Sequence, residues 1–269
     1  MKEIGLEELK RLQVEILLKV HQFCQDNGID YSLDSGTLLG AVRHKGYIPW
    51  DDDIDVIMPR PHYDKFLRSF NGCFEDLYVL APELDWNYYA PYANVCDRRT
   101  LLLEDDMGHN NMEIGVKIDI FPVDACPDDY DSYLSLYSKL HKLHFELIAK
   151  RVKLGHYAFT NFRAFCGLSL WRLRSMGRSY AEIQKVLCRL STGLDYDTCS
   201  HATIFAFPAD PLYLNKSVFE SFVDMDFEGY KFKGIQDYDA YLTAMYGDYM
   251  QLPPESERVC HHGFSAFWK

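Results

Sequence analysis

The sequence predicts an α/β (α+β) fold in one unit, with a largely helical insertion. Three observations lead there. Runs that alternate apolar and polar residues, as half-buried strands do, sit between runs with apolar residues every three or four positions, as in one-sided helices. A mostly helical stretch over residues 129–190 then interrupts that alternation. No repeat, low-complexity tract or flexible linker divides the 269 residues, so a single domain over 1–269 is expected.

In chain order, Leu9, Leu12, Ile16, Val20 and Phe23 recur at helical spacing, predicting a helix over Leu6 to Asn27 that Asn27-Gly28 closes. Ile29 to Asp34 alternates strictly and reads as a strand with one buried face. Ser35-Gly36-Thr37 breaks it, and Leu38 to Arg43 reads as a short helix ended near Gly46 and Pro49. Asp53 to Met58 is the second strand, and a helix from about His62 to Phe70 follows. Residues 77–104 read as short strands with aromatic turns. Val116 to Phe121 is a further strand, with Val116, Ile118 and Ile120 on one face and Lys117, Asp119 and Phe121 on the other. Beyond the helical stretch come short strands (His201 to Phe207, Phe222 to Phe232) and a helix near Tyr238 to Tyr246.

Composition excludes several classes. Hydrophobic residues are 48% and charged residues 25%, as in ordinary globular proteins. No apolar run is long enough to span a bilayer, and the N-terminus lacks the apolar core of a secretory signal, so a cytoplasmic protein is expected. The eight cysteines include no CxxC pair, which argues against a zinc ribbon or a disulfide framework. A net charge of −12 argues against nucleic acid as a partner. The charge is segregated: Lys139 to Arg189 holds eleven Lys or Arg against two acids, while the rest holds 17 bases against 38 acids. This basic 139–189 segment reads as a solvated helical face, as a surface for a phosphate-rich acceptor, or as a peripheral contact with the inner membrane surface.

The stretch IPWDDDIDVIM crowds four carboxylates against a core strand. If Ile54, Val56 and Met58 face the core, Asp53 and Asp55 share the opposite face, and Asp119 occupies the matching face of a third strand. Crowded carboxylates repel, and hard divalent cations remove that cost, which points to Mg²⁺ or Mn²⁺ held by Asp53, Asp55 and Asp119. An EF-hand fails, because Val56 and His62 stand where Gly and Glu are needed. The backbone N–H groups around Gly36 and Thr37 offer an anion site for a phosphate. Asp124 reads as a helix cap for the segment starting near Asp128.

Here the chain resembles a known family. DSGTLLGAVRHKGYIPWDDDIDVIMPR looks like the signature of the LicD family of phosphocholine transferases, whose core fukutin and fukutin-related protein share. KIDIFPVD and, more loosely, FEGYKF…DYDAYLTAMYGDYMQLPPESERVCHH extend the resemblance, leaving the helical middle unmarked. The resemblance implies a nucleotidyltransferase-like mixed β-sheet flanked by helices, with the family's metal-binding carboxylates falling on Asp53, Asp55 and Asp119. It implies transfer of phosphocholine from CDP-choline to a hydroxyl of a cell-surface glycan or glycolipid, of teichoic acid or lipopolysaccharide type, with release of CMP.

The expected mechanism follows the two-metal template. Asp53 and Asp55 hold one ion on the donor diphosphate, Asp119 helps to hold a second near the acceptor hydroxyl, and Asp119 or Asp52 takes the proton. Arg43 and His44 can neutralise donor phosphate or merely end a helix in solvent. Arg258 and His261 are phosphate contacts mainly by resemblance, and a Cys260/His262 zinc site lacks standard spacing. Trp86, Tyr88, Tyr89 and Tyr92 offer a cage for a quaternary ammonium or ordinary packing. The rival readings keep the fold and change the reaction: another CDP-alcohol (ethanolamine, glycerol or ribitol), a nucleotidyltransferase using a triphosphate, or a glycosyltransferase using a UDP-sugar. A non-enzymatic metal- or nucleotide-binding protein is the rival of a different class.

Overall fold

The computed structural model describes residues 1–104, 112–206, 211–259 and 263–269. A short strand β1 (Lys2–Ile4) leads into α1 (Leu6–Asn27), whose Leu9, Leu12, Ile16, Leu17 and Val20 are buried. Gly28 closes α1 in the left-handed conformation, as read from Asn27-Gly28. Next come β2 (Ser32–Leu33), α2 (Ser35–Arg43), β3 (Asp55–Pro59) and α3 (Arg60–Ser69). The strands β4 (Leu77–Leu80), β5 (Ala93–Asp97), β6 (Thr100–Glu104) and β7 (Lys117–Cys126) follow. The helical insertion is α4 (Tyr130–Arg151), α5 (Leu154–Thr160), α6 (Phe162–Arg174) and α7 (Tyr180–Ser191). The chain returns through β8 (His201–Thr203), β9 (Leu214–Asn215), β10 (Phe222–Phe227), β11 (Tyr230–Ile235), α8 (Tyr238–Tyr246) and β12 (Phe264–Trp268).

The main sheet is mixed, in the order β2-β3-β7-β5-β4, with β8 and β9 joined to the far half of β7. β3 and β7 run parallel, and every other pairing in this sheet is antiparallel. β7 is therefore central: β3 lies on one side, β5 on the other, and α1 and α3 pack against it. A second sheet, β1-β12-β6, ties both chain ends to the middle of the sequence. The β10–β11 hairpin turns at Glu228 (φ 51°) and Gly229 (φ 81°), the two consecutive left-handed residues that match strand twist.

Several sequence expectations shift. β3 begins at Asp55 rather than Asp53, and α2 begins at Ser35 rather than Leu38. The alternating run Ile29 to Asp34 pairs only at Ser32 and Leu33, and both of its faces are covered there. Asp124 caps no helix. It lies inside β7, fully buried, and accepts two hydrogen bonds from Arg60 at 2.6 and 3.1 Å. The cap of α4 is Asp129, which accepts from the Ser132 N–H at 2.8 Å. The register supplies the reason: β7 runs on past Phe121 because β8 pairs with Asp124 to Cys126.

α4 and α7 pack together over a second core of Tyr133, Leu140, Leu143, Leu147, Ile183, Leu187 and Phe205, and α6 packs against α4. Buried at its centre, His144 donates from Nε2 to the Phe205 carbonyl at 2.6 Å. Burial pushes its imidazole down to about 4 from an ordinary 6.5. The unfolded chain therefore binds more protons between those values, and the native state loses about 3 kcal/mol as pH falls from 6.5 through 4. Replacing His144 with Gln should flatten the acid limb of the stability curve in this window, read by urea unfolding across pH. An unchanged slope would show that the ring is not held neutral.

Candidate active site

Five carboxylates meet at one end of the β3–β7 pair. Asp55 opens β3 directly beside Asp119 of β7, its parallel partner, and neighbouring strands lie about 4.8 Å apart. Before them, Asp51, Asp52 and Asp53 each offer an oxygen within 4.8 Å of the others. Strand parity holds in this loop, since Asp52, Ile54, Val56 and Met58 are buried while Asp51, Asp53 and Asp55 are half-buried. The expected trio of Asp53, Asp55 and Asp119 is thus regrouped. Among the described residues the trio with mutually close oxygens is Asp51 to Asp53, and Asp55 and Asp119 form the adjoining pair.

The electrostatics record the cost. Burial raises the Asp55 carboxyl well above its ordinary range, and the charges of Asp53, Asp119, Asp34 and Asp51 raise it further. Burial also raises Asp119, although Lys117 opposes the shift. Lys117 Nζ donates to Asp119 Oδ1. Burial works against the Lys117 ammonium, but the Asp119 charge outweighs it and holds the lysine charged above its ordinary value.

The loop is clamped from several sides. Thr37 Oγ1 accepts the Asp55 N–H at 2.9 Å, the Asp34 N–H donates to the Asp55 carbonyl at 2.9 Å, and the Asp119 N–H donates to the Ile54 carbonyl at 2.9 Å. Gln13 of α1 donates to the Asp52 carbonyl at 3.0 Å, and the Tyr47 hydroxyl donates to Gln13 Oε1 at 2.9 Å. Glu228, at the hairpin tip, accepts the Tyr47 N–H at 3.0 Å. At Gly36 a Cβ would come within 2.5 Å of Asp51 Oδ2, so only glycine lets that carboxylate lie on the first turn of α2. Thr37 thus serves through its side chain, fixing the acidic strand.

Sequence reasoning missed Asn94 as a site residue. It stands opposite Asp119 on β5 and donates from Nδ2 to Asp119 Oδ1 at 2.6 Å. Tyr88 and Tyr89 both donate to Asn94 Oδ1, fixing its orientation. Those two rings are fully buried, so Trp86, Tyr88, Tyr89 and Tyr92 do not form an open cage. Trp86 lies under Lys185, and Tyr92 packs on Phe121 and lines a small cavity of ≈ 130 Å³ with Asp53, Asp119, Lys117 and Glu104.

On the α2 side lies a larger cavity of ≈ 470 Å³, lined by Leu39, Arg43, Trp50, Tyr246, Tyr249 and Pro253 among others. Arg43 donates to the Tyr249 carbonyl at 2.9 Å and to His44 Nε2 at 3.0 Å. Burial and the neighbouring Arg43 lower the His44 imidazole. Arg258 lies over the Trp50 ring at 5.8 Å and close enough to Arg43 for their charges to interact. Arg43 and Arg258 are therefore brought together, 215 positions apart in sequence. Tyr246 links the cavity to the acids: burial raises its hydroxyl, and the charges of Asp34, Asp55 and Asp51 raise it further. His261 and the Cys260/His262 pair lie outside the described residues.

Residues 28–133 match the family model described as LicD/FKTN/FKRP, nucleotidyltransferase domain. The chain is 31% identical to the lipopolysaccharide cholinephosphotransferase LicD of Haemophilus influenzae, across 99% of both chains. It is also 46% identical over 91 residues to an uncharacterized protein of Rickettsia prowazekii, covering 32% of this chain and 33% of that one. An uncharacterized protein of Rickettsia typhi is 43% identical over 74 residues, 26% of this chain and 24% of that one.

Asp55 is held against its own electrostatic preference, so Asp55→Asn should stabilise the metal-free protein. A raised folded-state value means that ionisation costs stability as pH climbs above the ordinary carboxylate range. The gain from Asn should therefore be present at neutral pH and vanish in acid. Thermal melts in a chelator at both pH values check this. A destabilised variant at neutral pH would mean that the carboxylate is structurally satisfied.

Proposed function

The chain belongs to the LicD family, and from that premise we propose that it transfers phosphocholine from CDP-choline to a hydroxyl of a cell-surface glycan, releasing CMP. The observation that carries the reading is the in-register pair Asp55–Asp119 beside the Asp51–Asp53 oxygens. This donor set is all carboxylate oxygen and is crowded with like charge, which suits Mg²⁺ or Mn²⁺. Asp53 and Asp55 would hold one ion, and Asp119 would share in holding a second. Such an ion supplies positive charge to the donor diphosphate and to the departing CMP.

The protein's own groups do the rest. The cavity of ≈ 470 Å³ falls within the size range of small-ligand sites, and Trp50 and Tyr246 offer faces to the nucleoside. Arg43 and Arg258 meet its phosphates, adding cationic charge where the donor diphosphate enters. Lys117 and Asn94 lock Asp119 in one orientation, so its free oxygen stays directed at the reaction centre. The acceptor hydroxyl attacks the phosphorus distal to the nucleoside. A new O–P bond forms, the bond to the CMP phosphate breaks, and the hydroxyl proton passes to Asp119 or Asp52. The named relative acts on lipopolysaccharide, which supports a glycan acceptor of that type.

The test is nucleotide release from a panel of CDP-alcohols, UDP-sugars and triphosphates, with and without lipopolysaccharide. CMP should appear from CDP-choline and faster with the acceptor. Asp53→Asn, Asp55→Asn and Asp119→Asn should each lower turnover about a thousandfold or more with the fold intact. Trp50→Ala should raise the donor KM about tenfold with kcat nearly unchanged. CMP from a different CDP-alcohol would keep the chemistry and change the substrate. Pyrophosphate from a triphosphate, or UDP from a sugar donor, would overturn the reaction.

A further inference from the structure

Between Glu146 and Glu182 the chain carries seven lysines and arginines and no acidic residue, in a protein of net charge −12. Over this stretch α6 folds back upon α4, and α5 packs against α6. The inner side of α6 is anchored. Trp171 stacks on Phe145 with ring centroids 5.7 Å apart, and Arg172 donates to the Lys150 and Val152 carbonyls at 2.9 and 3.3 Å. Among the described residues nothing covers the outer side. Phe162, Cys166, Leu170 and Leu173 recur at helical spacing on the face opposite Trp171. Phe162 is 70% exposed, Leu170 67%, Leu173 61%, and Met176 just past the helix 70%. Arg163 and Arg174, both exposed, edge this stripe.

Scattered exposed leucines are ordinary, but an unbroken apolar stripe along one helix is not. A stripe bordered by arginines, on an arm without a single carboxylate, matches a helix that lies in the plane of a bilayer boundary. We propose that α6 docks on an anionic lipid surface, with Phe162, Leu170, Leu173 and Met176 among the upper acyl chains and Arg163 and Arg174 at the lipid phosphates. A second copy of this chain would set the same cationic arm against itself, and like-charge repulsion disfavours that occupant. No described helix is long and apolar enough to cross a membrane, so this contact is peripheral. At its root the arm reaches the acidic site: Lys153 donates to the Glu104 carbonyl at 3.0 Å, and Glu104 lines the small cavity with Asp119. Docking would thus present the acids to a lipid-linked acceptor. That consequence rests on the reaction proposed above, whereas the docking itself does not.

Flotation with vesicles tests it, using phosphatidylcholine alone and phosphatidylcholine mixed with phosphatidylglycerol. The protein should float with the anionic vesicles only, and raising the salt from about 0.1 M to about 0.5 M should release it. Leu170→Ser/Leu173→Ser should weaken binding about tenfold or more with an unchanged melting temperature. Arg163→Glu/Arg174→Glu should do the same by removing the charge attraction. Failure to float with anionic vesicles, or flotation unaffected by both double variants, overturns the proposal. So does a dimer in light scattering that Leu170→Ser/Leu173→Ser dissolves, which would make a second copy the occupant.

Discussion

The parallel pairing of β3 with β7 sets Asp55 and Asp119 side by side, and much of the surrounding structure serves to keep that pairing in register. A buried and a half-buried carboxylate so placed push their strands apart, and each carries a desolvation cost as well. The opposing forces come from every neighbour. Thr37 and Asp34 hold β3 from the α2 side, Ile54 and Asn94 hold β7 through its backbone and its acid, and Lys117 neutralises part of the charge. Gln13, Tyr47 and Glu228 then fix the preceding loop from α1 and from the β10–β11 hairpin. Segments from five parts of the chain thereby converge on one acidic loop. Stability lost at this point is the condition for the cation site proposed above, as is common where function needs a strained arrangement.

Much of this was legible in the sequence, for a physical reason. Strand side chains alternate strictly, so Asp53 and Asp55 had to share a face once Ile54, Val56 and Met58 were placed inward, and the same parity set Asp119 apart from Ile118 and Ile120. The alternation does not give register. Nothing in the local pattern shows that Asn94 stands opposite Asp119, that Asp55 stands beside it, or that Arg43 meets Arg258. These depend on strand order and on long-range closure. Tyr88 and Tyr89 show the same limit: aromatic spacing alone leaves a ligand cage and ordinary packing both open, and the structure decides for two buried rings holding an asparagine. Asp124 was misplaced because capping is inferred from position near a helix, while its true partner, Arg60, lies 64 residues earlier. Both terminal strands escaped notice, since three to five residues cannot announce a sheet that joins the two ends of a chain.

Charge is distributed by task. The body is acidic, the acids are densest at the loop beside β3, and the cations of the helical insertion lie on a separate arm. Where cations do enter the site they are few and fixed: Lys117 on one side of the acids, Arg43 and Arg258 on the other. This arrangement leaves the acidic loop short of positive charge in its centre and supplied with it at the rim. An anionic donor approaching alone would be repelled by the carboxylates and drawn by the arginines. With divalent charge between them, the same geometry becomes attractive throughout.

The most direct test of this account counts bound cations. Manganese binding by electron paramagnetic resonance, with CDP-choline present, should show metal held by the wild-type protein and lost in both Asp55→Asn and Asp119→Asn. Equal binding in the wild type and both variants, or no binding in any of them, would contradict the claim that the β3–β7 register exists to build a cation site.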